Sequence, residues 1–150
     1  MMRFLLDTHT FIWAISNRRK LPARVISVIE KRENEIFVSS VSFWEIALKV
    51  RISKLDQIGN DDRDLVTIAE NTGFQPIPLD PVEASTSFKL AEDTHFDPFD
   101  RMLIWQAISR KLTLLSGDRE FERFKADGLK LLWKYGFRYC KNSYPGKCPP

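Results

Sequence analysis

Short apolar runs alternate with helix-forming segments along this chain, and this alternation constrains the fold more than any other feature. The strand-like runs are RFLL (3–6), EIFVS (35–39), FQPIPL (74–79), LTLLS (112–116) and LKLLW (129–133). Helix-like segments lie at about 10–17, 22–32, 42–52, 61–72, 80–92, 98–111 and 119–126. Strand–helix–strand alternation predicts an α/β fold in which helices cover both faces of a mainly parallel sheet.

The composition of the chain changes after Trp133. The 150 residues suffice for one domain with a buried core. The segment KYGFRYCKNSYPGKCPP that follows Trp133 has three prolines, two glycines and no clear periodicity. We therefore expect one folded domain over 1–133 and a loosely ordered extension over 134–150. The two cysteines in the extension, Cys140 and Cys148, are too few for a disulfide framework or a zinc site.

The N-terminal run is apolar, but it predicts a strand and not a targeting segment. Asp7 and His9 interrupt the run too early for a signal peptide, and no apolar run in the chain is long enough to span a bilayer. We therefore expect a cytoplasmic protein with no membrane partner. The net charge of +3 favours a polyanionic partner only if the acids are clustered in one place.

Three helix starts are marked by capping patterns. Asp80-Pro81 and Asp97-Pro98 each place an acid at the N-cap and proline at the first helical position. Ser42 and Glu45 have the spacing of a capping box. Asp100 lies in the first turn after Asp97, as Glu83 does after Asp80. An acid in a first turn suits the helix dipole, so this pattern alone is not evidence of chemistry.

Four acids stand where a parallel sheet collects its functional groups. Asp7 and Asp118 follow strands directly, Glu45 lies on the first turn after another strand, and Asp100 projects from a helix start. Each one alone has a structural explanation as a cap or an ion-pair partner. Together, four carboxylates would repel each other unless they were protonated or neutralised by a cation. An all-oxygen ligand set favours Mg²⁺ or Mn²⁺ over zinc, and such an ion supports phosphodiester hydrolysis.

The motifs LLDTHTFIW, SSVSFWEIALK, HFDPFDRMLIWQA and LLSGDREF, in this order, resemble the PIN-domain ribonucleases, and in particular the VapC-like toxins. The resemblance runs from about Met2 to Trp133. It implies a three-layer α/β/α domain and a metal-dependent endoribonuclease. Mapped onto this chain, it implies that Asp7, Glu45, Asp100 and Asp118 hold Mg²⁺ or Mn²⁺. The family's hydroxyl groups near the first and last acids correspond to Thr8 and Ser116, as hydrogen-bonding supports.

The same resemblance implies partners. VapC-like toxins usually hydrolyse structured RNA such as tRNA or rRNA, pair as homodimers and are inhibited by a small antitoxin protein. The resemblance does not account for the extension over 134–150. A PIN nuclease outside toxin–antitoxin systems, acting in RNA processing or on DNA, and a non-catalytic RNA-binding relative stay open as alternatives. A phosphoacceptor receiver module would need a second acid beside Asp7 and a late lysine, where Thr8 and Asp118 stand.

Several other side chains have two interpretations each. Arg101, Lys49 and Arg51 are candidate RNA contacts, although charged residues on helices usually pair with acids or face solvent. His9 and His95 neighbour proposed ligands, and either could contact RNA or orient a carboxylate, although we favour a surface or cap-supporting role for both. The tryptophans at 13, 44 and 105 favour core or dimer packing over base stacking. Phe11, Ile12 and Ile15 suit either the core or an antitoxin groove.

Overall fold

The computed structural model describes residues 1–52 and 64–133. The central sheet is entirely parallel and has five strands in the order β3-β2-β1-β4-β5. The strands are β1 (Arg3–Leu6), β2 (Glu35–Ser39), β3 (Gln75–Ile77), β4 (Thr113–Leu115) and β5 (Lys130–Leu132). All five predicted strands are therefore present, although the structure shortens the third, fourth and fifth. The expected extension over 134–150, with both cysteines, lies outside the described residues.

The helices follow the strands as predicted. They are α1 (Thr8–Ser16), α2 (Ala23–Glu30), α3 (Ser40–Arg51), α4 (Leu65–Asn71), α5 (Pro81–Thr86) and α6 (Pro98–Ser109). Three 3₁₀ segments add Arg18–Lys20, Ser87–Lys89 and Arg119–Asp127. The helix expected at 61–72 begins outside the described residues, which resume at 64. Asp64 is the N-cap of α4. None of the described helices is long and apolar enough to cross a membrane.

Both faces of the sheet are buried, which accounts for the continuous apolar character of its strands. Leu5 and Leu114 point to one face, where they pack with residues of α6 and of the Arg119–Asp127 segment. Phe4, Leu6 and Leu115 point to the other face, against residues of α1, α2 and α4. Neighbouring residues of β1 thus serve opposite cores. The result is the predicted three-layer α/β/α arrangement.

The capping box predicted for Ser42 and Glu45 is wrong. Helix α3 begins at Ser40, and Ser39, the last residue of β2, is its N-cap and accepts a hydrogen bond from the Val41 N–H at 3.1 Å. The strand therefore runs into the helix without a loop. Ser42 and Glu45 both lie inside α3 and are buried.

The helix expected over 80–92 is also shorter than predicted. Helix α5 ends at Thr86 and is followed by the 3₁₀ segment Ser87–Lys89. The hydroxyls of Ser85 and Thr86 both donate to the Val82 carbonyl, at 3.2 and 2.6 Å. Hydroxyl groups that bond to the preceding turn compete with the helical backbone pattern, which accounts for an early end.

The strand order places a topological switch between β1 and β4. The chain moves outward from β1 through β2 to β3, and then returns to add β4 on the other side of β1. The carboxyl ends of the two strands that flank such a switch form a crevice where α/β proteins bind ligands. Asp7 follows β1 and Ser116 follows β4, so both lie at this crevice.

Candidate metal centre and nucleic-acid interface

Asp7 occupies the end of the central strand and starts the first helix. Its Oδ1 accepts the Thr10 N–H at 2.8 Å, so the predicted capping role is real. The Thr10 hydroxyl in turn donates to the Leu115 carbonyl at 3.0 Å, which ties this turn to β4. The side chain is buried, and this burial raises the pKa of Asp7 above its ordinary value despite hydrogen bonds from Ser116 and Thr10.

Ser116 and Asp118 form the facing edge of the crevice, after β4. The Asp118 N–H donates to Ser116 Oγ at 3.1 Å. Asp118 Oδ1 accepts the Glu120 N–H at 2.9 Å, so Asp118 caps the following 3₁₀ segment. Ser116 therefore touches both acids of the switch, because its hydroxyl also hydrogen-bonds Asp7. These contacts are compatible with the supporting role predicted for Ser116, which stays a prediction.

Glu45 enters from α3 and is 4% exposed. Its Oε2 lies 2.8 Å from Lys49 Nζ, while its buried Oε1 has no hydrogen-bond partner among the described residues. Thr8 donates its hydroxyl hydrogen to Ser42 Oγ at 3.1 Å, in a buried contact that joins α1 to α3. The contact of Thr8 with the acids is therefore indirect. The hydrogen bond from Thr8 to Ser42 holds α3, the helix from which Glu45 projects.

Asp100 reaches the same region from the first turn of α6. Asp97 caps that helix by accepting the Asp100 N–H at 2.9 Å, with Pro98 at the first position, as predicted. The Asp100 carboxylate lies 2.9 Å from His95 Nε2. Burial, together with the charges of Asp97 and Glu45, raises the pKa of Asp100 from 3.8 to about 6 despite the hydrogen bond from His95.

The ring of His95 is held in place by aromatic side chains. It meets Phe121 and Phe124 edge to face, with ring centroids 5.9 and 6.0 Å apart. Of the interpretations open for His95, the structure favours orientation of a carboxylate. His9 is exposed and lies against Trp13 instead.

One cavity of about 570 Å³ brings all four acids together. Its lining residues are Asp7, Thr8, His9, Thr10, Trp13, Lys20, Glu45, Lys49, Asp97, Asp100, Gly117, Asp118, Phe121 and Trp133. Neither Gly117 nor Trp133 was predicted from the sequence as a member of this set. The sequence did contain a clue at Gly117, which stands between Ser116 and Asp118 after β4. A side chain at this position would crowd the crevice.

The donor set of this cavity fits a hard divalent cation. Among the described residues, no three acid, histidine or cysteine side chains are close enough to form a complete chelating group. The cavity nevertheless holds a buried carboxylate oxygen without a partner, on Glu45, and a carboxyl group with a raised pKa, on Asp100. Burial of unneutralised carboxylates is costly, and oxygen donors of this kind suit Mg²⁺ or Mn²⁺.

The candidate RNA contacts differ in their surroundings. Lys49 lines the cavity and pairs with Glu45. Arg101 donates to the Glu92 and His95 carbonyls, at 2.7 and 3.0 Å, and so braces the loop before α6. Arg51 is exposed at the end of α3, outside the cavity lining. Lys49 is therefore the best placed of the three to meet a substrate.

The raised pKa of Asp100 predicts how the stability of the metal-free protein depends on pH. A carboxyl that holds its proton more tightly when folded stabilises the fold at low pH and loses that contribution as it ionises. The free energy of unfolding attributable to Asp100 should fall as the pH rises from 3.8 to about 6. Thermal melts in EDTA, compared with Asp100→Asn, measure it. Parallel pH profiles of the two proteins would contradict the expectation.

Two features define the class of this protein: a five-stranded parallel sheet between helices, and an acidic cavity at the switch between its central strands. The sequence pattern of the PIN domain matches residues 4–127, so the chain belongs to the PIN domain family. The resemblance seen in the four motifs is thereby confirmed. A comparison with curated proteins by sequence gives no match.

Solved structures share the fold at low sequence identity. VapBC2 from Rickettsia felis, bound to a DNA fragment from their promoter, contains a chain 20% identical with a TM-score of 0.64, covering 88% of this chain and 99% of that one. A chain of VapBC-1 from nontypeable Haemophilus influenzae is 18% identical with a TM-score of 0.63, and the match covers 89% of this chain and 98% of that one. A chain of FitAB bound to an IR36 DNA fragment is 15% identical with a TM-score of 0.54, and the match covers 86% of this chain and 93% of that one.

Proposed function

We propose that this PIN domain is a metal-dependent endoribonuclease that hydrolyses RNA phosphodiester bonds, with tRNA or rRNA as the substrate class. The observation that carries the proposal is the cavity shared by Asp7, Glu45, Asp100 and Asp118. Asp7 and Asp118 follow strand ends, Glu45 lies inside α3 and Asp100 lies in the first turn of α6, and each acid has a structural role of its own. The structural roles do not require the four acids to lie in one cavity, so their convergence supports a function.

The four carboxylates would hold Mg²⁺ or Mn²⁺. Bound there, the ion would supply activation of water and neutralisation of charge on the phosphoryl group. Ser116 hydrogen-bonds Asp7, which keeps that carboxylate aimed at the crevice. His95 holds Asp100 in the same way. Supporting bonds of this kind fix the orientation of ligands, and their loss typically costs about 10–100-fold in metal affinity or activity.

The basic side chains of the cavity supply the attraction for a phosphate backbone. Lys49 stands beside Glu45, and Lys20 lines the same cavity. A cation bound by the acids would compete with Lys49 for the Glu45 carboxylate and leave the ammonium group available to phosphate oxygens. Arg101 and Arg51 lie farther from this role, so we assign them a weaker contribution to RNA binding.

We further propose that the enzyme is the toxin of a toxin–antitoxin pair, that it acts in the cytoplasm and that it forms a homodimer. The support is the fold, which is similar to that of chains in VapBC and FitAB complexes. A small antitoxin protein would then be its inhibitor. Trp44 and Leu48 on α3 and Ile52 at its C-cap, spaced four residues apart, leave apolar surface exposed and suit a protein contact.

Cleavage of RNA in the presence and absence of divalent metal tests the proposed activity. We expect purified protein to cut tRNA or rRNA at defined positions with Mg²⁺ or Mn²⁺, and EDTA to abolish the cuts. Sequencing the RNA ends after brief induction in cells, against Asp100→Asn, identifies the target. Cuts that persist in EDTA, or that the Asp100→Asn protein also makes, would exclude this site as their source.

A further inference from the structure

One side of the acidic cavity is aromatic. Its members, named here the aromatic wall, are His9, Trp13, Trp133 and the side chain of Lys20, and all four line the cavity. The ring of Trp13 lies at the centre, 5.8 Å from the ring of His9 and 6.2 Å from that of Trp133. The ammonium of Lys20 stands 5.8 Å from the Trp13 ring centroid.

The core does not account for the whole of this wall. Both tryptophans pack partly against the core on the α1 side of the sheet, but neither is fully buried. Their ring planes are tilted by 46° and are not stacked face to face, so neither indole covers the full face of the other. Both side chains are partly exposed and line the cavity, so part of their aromatic surface is accessible from it. Such surface is the usual platform for a nucleobase.

The chain makes room for this arrangement next to the acids. A Cβ atom at Gly117 would lie only 2.6 Å from the Trp133 ring. The glycine stands between Ser116 and Asp118, so Trp133 can lie against the crevice only because this position has no side chain. The wall thus lies against Gly117, the residue that precedes the proposed ligand Asp118.

The charge of the wall complements a nucleotide. Lys20 offers an ammonium group beside the indole of Trp13, so one short region presents a cation for a phosphate and a ring for a base. A base within a duplex has its faces covered by neighbouring bases and cannot reach a protein ring. Only an unpaired nucleotide can use both features at once.

We propose that the aromatic wall is a base-binding subsite beside the scissile phosphate, in which one unpaired nucleobase of the substrate stacks on Trp13. The inference rests on the proposed nuclease function, because it takes the acids as the place where the phosphate reacts. Trp13 is the principal stacking surface, and Trp133 extends it toward Asp118. Neither residue enters the chemistry. They position the substrate.

Binding without cleavage tests this proposal. All variants carry Asp100→Asn, so that labelled RNA stays intact in Mg²⁺, and fluorescence anisotropy measures affinity for a short single-stranded oligonucleotide and for its abasic counterpart. We expect Trp13→Leu to bind the base-containing RNA about tenfold more weakly and to bind the abasic RNA as the parent does. Trp13→Phe should retain most of the affinity, since phenylalanine can still stack.

Phe88→Leu provides the matched control, because Phe88 is exposed and lies outside the cavity lining. It should bind both RNAs as the parent does. The proposal fails if Trp13→Leu binds the base-containing RNA normally, or loses affinity for both RNAs equally while its melting temperature is unchanged. Failure of the nuclease proposal is seen separately, since a protein that never cleaves RNA can still prefer the base-containing oligonucleotide.

Discussion

Replacing Asp100 by asparagine is expected to lower RNA cleavage by about a hundredfold or more and to leave the fold intact. The substitution removes one charged oxygen of a proposed metal ligand and keeps a side chain of the same shape. Since the pKa of Asp100 is raised by burial and by neighbouring acids, the metal-free protein should not be destabilised by loss of the charge. Initial cleavage rates with Mn²⁺ or Mg²⁺, together with thermal melts, measure both parts of the expectation. Asp7→Asn should behave in the same way.

The neighbouring aspartate supplies the matched control. Asp97 caps α6 through the Asp100 N–H, and asparagine caps a helix nearly as well as aspartate. Asp97→Asn should therefore keep most of the activity, although Asp97 also borders the cavity. If Asp97→Asn inactivated the protein and Asp100→Asn did not, the two roles would have to be exchanged.

The second large effect is expected at Arg110 and concerns stability. Glu83 is buried, and the Arg110 guanidinium binds both of its oxygens, through Nε to Oε1 and through Nη2 to Oε2 at 3.0 Å. Gln106 adds a contact to Oε2 at 3.2 Å. Arg110→Met would leave a buried carboxylate without its cation. Breaking a buried pair costs about 3–5 kcal/mol, and since Arg110 is 26% exposed we expect about 2–3 kcal/mol.

Urea denaturation measures this loss, and a surface pair calibrates it. Arg3 lies 3.4 Å from Glu35, and both side chains are substantially exposed. Arg3→Met should cost less than about 1 kcal/mol. The double variant Glu83→Gln with Arg110→Met should recover part of the loss, because it removes the uncompensated charge. Equal effects of Arg110→Met and Arg3→Met would show that burial of the pair contributes nothing.

The two Asp-Pro helix starts show what could be predicted from the sequence and what could not. Both caps were predicted correctly, because an N-cap acid followed by proline is a local pattern. The environment of the acid in the first turn, Glu83 or Asp100, depends on residues that are distant in the sequence. Glu83 receives Arg110 from the end of α6 and becomes part of an ion pair. Asp100 has His95 and the like charges of Asp97 and Glu45 as neighbours, so its carboxyl has a raised pKa.

The remaining differences also have tertiary causes. A serine occurs at both 39 and 42, and only the exact end of β2 decides which one caps α3. The parallel strands could be predicted from short apolar runs between helix-like segments, because strands that are buried on both faces are mostly apolar. Trp133 was expected as the end of a strand. Its place beside the acids depends on the gap at Gly117, which is visible only after β4 and β5 are paired.

The position of β1 at the middle of the sheet has a consequence for protein synthesis. Asp7 is synthesised well before β4, and β4 must pair beside β1 before the crevice has a second edge. Asp100 and Asp118 emerge only after most of the domain has been made. A nascent chain therefore lacks the complete acid set while it is still attached to a particle built largely of RNA. The order of the strands thus delays assembly of the proposed cutting site until translation of the domain is nearly finished.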